Sequence, residues 1–137
     1  MTENEVLEKI VPLIREVSGA KEGEVTMDSY LMADLGAESI DLLDLSFLIE
    51  ETFDITIEAD EFESSIRQSL GGADYEKDGY LTPDALVALG RILPEVDKKY
   101  LQQGLRKIAI PSVLNVAVFV HMIQRKLDSE VREVNRA

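Results

Sequence analysis

The chain has 137 residues, no cysteine, one histidine, and 27 acidic against 14 basic side chains, for a net charge of −13. Lack of thiols excludes disulfides and thiolate metal sites, so any thiol chemistry must come from a cofactor. No apolar run reaches the roughly 18 residues of a membrane span. Met1-Thr2-Glu3-Asn4-Glu5 lacks the basic and apolar regions of a signal peptide, which points to the cytoplasm. From Glu22 to Ile66 there are 14 carboxylates and no Lys, Arg or His, while the rest holds 13 acids and 14 bases. Such a field disfavours nucleic acid and anionic membrane and attracts basic protein surfaces.

In chain order, the first element reads as a helix over 3–17. Thr2 and Glu5 have capping-box spacing, and Val6, Leu7, Ile10, Val11, Ile14 and Val17 share one face at helical period. Pro12 removes a backbone donor inside it and predicts a kink or local break. Residues 24–38 show no sustained period and read as an ordered loop pinned by Val25, Tyr30, Leu31 and Leu35; loops of this length in a compact domain are usually functional. A second helix is expected over 40–52. Leu42, Leu45, Ile49 and Phe53 form one apolar stripe, with Ile40, Leu43 and Phe47 beside it and Asp41, Asp44, Glu50 and Glu51 on much of the remainder. That apolar face is wider than packing on one neighbour requires. Phe53-Asp54-Ile55-Thr56-Ile57 is β-prone and suggests a short extended exit.

Phe62, Ile66 and Leu70 space a short helix that Gly71-Gly72 breaks. Thr82-Pro83-Asp84 is a helix start, an N-cap followed by Pro at the first position, and Pro94 ends that helix. A turn or two over 95–103 and a basic-apolar linker over 105–110 follow. The last helix is expected to begin with Ser112 as cap and to run through Val116, Phe119, Val120 and Ile123 toward Arg132, with a Lys126–Glu130 pair and fraying beyond Val134.

The segment Asp34-Leu35-Gly36-Ala37-Glu38-Ser39-Ile40 resembles the prosthetic-group site of acyl carrier proteins, Asp-Leu-Gly-x-Asp-Ser-Leu. The preceding loop and the Glu50-Glu51-Thr52-Phe53-Asp54 helix end are also similar to that family, so the close resemblance covers about residues 24–57. It implies an all-α, acyl-carrier-like helical bundle: a single domain over 1–137, with extra helices inserted at about 58–110 between the second and final helices. It implies 4′-phosphopantetheine on Ser39, installed from coenzyme A by a magnesium-dependent phosphopantetheinyl transferase, with the acyl group held as a thioester and no catalysis by the chain. It further implies docking through Asp34, Glu38, Ile40, Asp41, Leu43, Asp44, Phe47, Glu50 and Glu51 onto basic surfaces of acyl-loading, ketosynthase and acyltransferase enzymes. A monomer without stable membrane insertion is the expected form.

Glu38 and Ile40 stand where the family mostly has Asp and Leu, which bears on transferase preference. The long insert looks like that of enlarged bacterial carriers serving specialised lipids, including acyl chains destined for lipid A. A stand-alone polyketide or peptide-synthetase carrier is the alternative within the class. Outside it stands an unmodified helical protein-binding or calcium-sensing module. Asp74-Tyr75-Glu76-Lys77-Asp78-Gly79-Tyr80-Leu81 imitates the start of an EF-hand loop, but Ala85 stands where the bidentate Glu belongs, and no metal is expected. His121 has no second histidine or cysteine for a metal, and a packing or surface role is expected. Ser39 in isolation reads as a helix N-cap.

Overall fold

The computed structural model describes residues 1–58 and 60–136, with side chains through Ser129. The expected Lys126–Glu130 pair therefore lies outside the described side chains. The chain forms two compact units, Met1–Ile57 with Leu114–Ala137, and Glu58–Val113.

In the first unit, helix α1 spans Glu3–Ser18 and helix α2 spans Ser39–Phe53, while the last helix, named α5 below, spans Val116–Arg136. The α1 capping box forms in full: Thr2 Oγ1 accepts from Glu5 N at 3.1 Å, and Thr2 N donates to Glu5 Oε1 at 3.0 Å. These bonds hold the exposed Glu5 carboxyl below its ordinary range, the Thr2 backbone donor most of all. The helix runs without a break through exposed Pro12 and ends at Gly19, whose φ of +75° only glycine adopts cheaply. Val6, Ile10 and Ile14 are fully buried, one helical turn apart.

The loop over 24–38 is ordered because its backbone completes the start of α5. The first amides of a helix have no intrahelical acceptor. Here Val116 N donates to Ser29 O at 2.9 Å, Ala117 N to Met27 O at 3.0 Å, and Val118 N to Asn115 Oδ1 at 3.1 Å. Leu31 N donates back to Leu114 O at 3.2 Å. Asn115, 2% exposed, is thus the cap of the last helix, which corrects the expectation for Ser112. The Ser112 hydroxyl instead donates to Ala109 O within a 3₁₀ helix over Lys107–Val113. The last helix also continues past the expected fraying point, to Arg136. His121 Nε2 lies 3.0 Å from Glu3 Oε2, joining α5 to the start of α1.

The second unit begins with helix α3, Glu61–Leu70. Strands β1 (Glu76–Lys77) and β2 (Tyr80–Leu81) follow, then helix α4 (Pro83–Ile92), a 3₁₀ turn at Lys98–Tyr100 and the 3₁₀ helix above. The strands pair antiparallel, Glu76 with Leu81 and Lys77 with Tyr80. Asp78 and Gly79 form the connecting turn with φ of +55° and +85°, the two-residue geometry for which Asp-Gly is the favoured sequence. The calcium-loop imitation is therefore a hairpin, an addition to the all-α expectation. Among the described residues, no group of three His, Cys, Asp or Glu is placed to hold a metal ion.

Thr82 caps α4 as expected. Its hydroxyl accepts from Ala85 N at 3.1 Å and donates to Asp74 O at 2.6 Å. Tyr75 is buried under two cations: the Arg67 guanidinium is 4.6 Å and Lys107 Nζ 5.7 Å from its ring centroid. Glu63 pairs with Arg67 at 3.1 Å and with Lys107 at 3.3 Å, and Lys107 also reaches Glu76 at 3.4 Å. Burial alone would push the Glu63 carboxyl up. The hydrogen bonds and charges of Arg67 and Lys107 outweigh burial and hold it below the usual glutamate range.

Candidate functional site

The site begins with the tight turn before α2. Leu35 N donates to Tyr30 O at 3.2 Å, Gly36 N to Met32 O at 3.2 Å, and Ala37 N to Leu31 O at 2.9 Å. Gly36 takes a φ of +72°, a left-handed conformation costing other residues about 1–2 kcal/mol. Leu31, Leu35 and Ala37 are buried. The turn is thus anchored from below and delivers the next residues, Glu38 and Ser39, to the surface.

Ser39 is exposed and is the first residue of α2, not its cap. The preceding residue, Glu38, holds the cap position with extended backbone, and its N–H donates to Asp41 Oδ2 at 2.8 Å. The Ser39 side chain makes no hydrogen bond to any described residue. Capping is therefore served by other side chains, and the hydroxyl is left open to an incoming electrophile. A phosphodiester attached there would meet the positive end of the helix dipole.

Helix α2 separates its apolar residues into two sets. Leu42, Leu45, Ile49 and Phe53 are buried. Ile40, Leu43 and Phe47 are 63%, 55% and 58% exposed, at i, i+3 and i+7 on a face that unit packing does not use. Among the expected docking acids, Glu38, Asp44 and Glu51 are exposed and Asp41 and Glu50 are half-buried. Two also have local duties. Asp34 Oδ2 accepts from Tyr30 N at 2.8 Å, closing the loop, and Asp41 holds the Glu38 amide. Asp54 ends the helix at φ of +54°, its N–H on Glu50 O. Phe53 still belongs to α2, and residues 55–58 of the expected exit are in neither helix nor strand.

The sequence reading missed Glu16 and Val17 of α1. With Asp41, Asp44, Phe47 and Leu48 they line a surface groove of about 450 Å³. Val17 was legible only as the last apolar position of α1, which gives no sign that the helix ends beside α2.

Residues 8–68, a span that contains Ser39, match the family model described as "Phosphopantetheine attachment site". The chain is 42% identical over 67 residues to an acyl carrier protein of Borrelia garinii subsp. bavariensis, covering 47% of this chain and 84% of that one. It is 40% identical over 63 residues to one from Petrotoga mobilis, covering 46% and 74%, and 39% identical over 72 residues to one from Guillardia theta, covering 51% and 89%. No solved structure matches. On sequence and helical fold together, the chain belongs to the acyl carrier protein family, whose prosthetic group is a covalent 4′-phosphopantetheine.

Proposed function

We propose that Ser39 is the attachment point of the phosphopantetheine arm and that the exposed face of α2 is the docking surface for the enzymes that load and use it. The observation that supports this reading is the exposed Ser39 hydroxyl, without a hydrogen-bond partner among the described residues, at the start of an acidic helix. Attachment would join the Ser39 hydroxyl oxygen to the pantetheine-side phosphorus of coenzyme A as a phosphodiester, breaking the pyrophosphate P–O bond, releasing adenosine 3′,5′-bisphosphate and losing the hydroxyl proton. When bound, the arm supplies a thiol that holds an acyl group as a reactive thioester. The chain's own residues position the anchor, recognise partners and do no bond chemistry. Glu38, Asp44, Glu50 and Glu51 steer basic partner surfaces and set register, while Ile40, Leu43 and Phe47 supply the desolvated contacts.

The pathway we propose is specialised lipid synthesis, with acyl transfer to lipopolysaccharide as one form of it. The support is the 56-residue unit Glu58–Val113, placed in chain order between the second and last helices of the carrier. In this reading the protein works in the cytoplasm as a monomeric carrier.

The docking assignment is tested by transferase kinetics. Asp44→Lys with Glu51→Lys should lower the loading rate at least about tenfold at low ionic strength, since charge-reversed rim residues act mainly on association. The far-ultraviolet circular dichroism and melting temperature should be unchanged. An unaltered loading rate would remove the docking face from the account and leave the attachment site standing.

A further inference from the structure

The second unit carries a groove of about 400 Å³ between α4 and the segment around the Lys98–Tyr100 turn. Its floor and walls are Leu86, Val87, Gly90 and Leu101, with Arg91 and Lys98 among its lining residues. Val87, inside a helix whose neighbours Ala88 and Leu89 are fully buried, is 62% exposed. Gly90 adds no side-chain bulk to the lining; a Cβ there would stand in ordinary contact, 3.7 Å from Leu101 Cδ1.

The charge here is opposite to that of the carrier helix. Between Arg91 and Lys107 there are five basic and two acidic residues. Of these bases Lys107 is spent on Glu63 and Glu76, beside Arg67 on Glu63. The side chains of Arg91 and Lys98 pair with no carboxylate among the described residues. An apolar channel edged by unpaired cations fits an amphipathic helix with apolar anchors and flanking carboxylates, the helix-in-groove mode of recognition. The chain displays such a helix itself. Helix α2 exposes Ile40, Leu43 and Phe47 at i, i+3 and i+7, flanked by Asp44 and Glu51.

We propose that this groove docks helix α2 of a second copy of this chain, so that self-association covers the face used for partner enzymes. At about 0.15 M salt the screening length is about 8 Å. The mutual repulsion of two −13 chains is then damped, while ion pairs at contact distance survive. A groove of about 400 Å³ that takes three apolar side chains is a small contact beside stable complexes, which bury about 1,200–2,000 Å², and we take the association to be weak and transient. The monomer is the working form at low concentration, and the associated form holds its docking face in reserve.

Sedimentation equilibrium of the full chain from about 10 µM to about 1 mM, at about 0.15 M salt, tests this. The weight-average mass should rise above the 15.3 kDa of one chain with concentration. Val87→Glu, Arg91→Glu and Leu43→Glu should each weaken association at least about tenfold. All three alter exposed positions, and circular dichroism would verify that the helices are intact. Ser39→Ala should associate as the wild type does, which separates this proposal from the attachment site. A chain that stays monomeric to about 1 mM overturns the proposal. So does association that the Val87 and Arg91 substitutions leave unchanged.

Discussion

At the scale of single residues, neighbouring positions in α2 differ sharply in burial, and substitutions should separate stability from the proposed docking role. Leu42 is buried, whereas Leu43 beside it is 55% exposed. Leu42→Ala should cost about 2–5 kcal/mol of stability, as large-to-small core changes do, measured by denaturant unfolding. Leu43→Ala should leave stability within about 0.5 kcal/mol and act on partner kinetics instead. Asp41 is a poorer probe of docking than Asp44, because it also holds the Glu38 amide at 2.8 Å. Reversing its charge would mix a lost helix-start bond with the proposed effect on recognition. Asp54, with φ of +54°, stands where glycine would fit better. Asp54→Gly should raise stability by up to about 1 kcal/mol.

At the scale of elements, the periodic segments were legible because burial imposes a period. The α1 face, the Leu42-Leu45-Ile49-Phe53 stripe, and the Thr82-Pro83 start of α4 all follow from local chemistry. The cap of α5 was not legible. Asn115 caps it only because the loop at 27–31 supplies the remaining acceptors from more than 80 residues away, and a serine near a helix start looks equivalent in one dimension. The same limit left Ser39, though legible as the attachment residue, with an N-cap reading when taken in isolation. Only the fold reveals that Glu38 and Asp41 serve the helix start. The hairpin was missed because its Asp78-Gly79 turn lies inside an acidic pattern that imitates a metal loop.

The ion-pair cluster over Tyr75 makes the second unit sensitive to acid. The folded chain holds Glu63 below its ordinary value of 4.5, so the unfolded chain takes up the proton more readily as pH falls. This stabilisation is whole above the ordinary value and is lost as pH drops through it and then through the folded value. Thermal melts of wild type against Glu63→Gln should therefore differ at neutral pH, by an amount on the order of 1 kcal/mol for half-exposed pairs. The difference should shrink below about pH 4.5.

At the scale of the whole molecule, charge is segregated along the chain. The segment 22–66, with 14 carboxylates and no base of its own, contains the exposed serine and the exposed apolar stripe of α2. Such a field raises encounter rates with basic partners and weakens with salt. The loading rate at subsaturating carrier should therefore fall as ionic strength rises from about 0.05 to about 0.5 M, while the helical circular dichroism stays constant.

The proposed carrier role requires the prosthetic group to sit on Ser39. Intact-protein mass spectrometry after incubation with coenzyme A, magnesium and a broad-specificity phosphopantetheinyl transferase tests it most directly, with Ser39→Ala and Glu38→Asp alongside. The account predicts a gain of one phosphopantetheinyl group on the wild type and none on Ser39→Ala, which should fold with unchanged stability because its hydroxyl bonds to nothing described. Gain on Ser39→Ala, or no gain on both the wild type and Glu38→Asp, would contradict it.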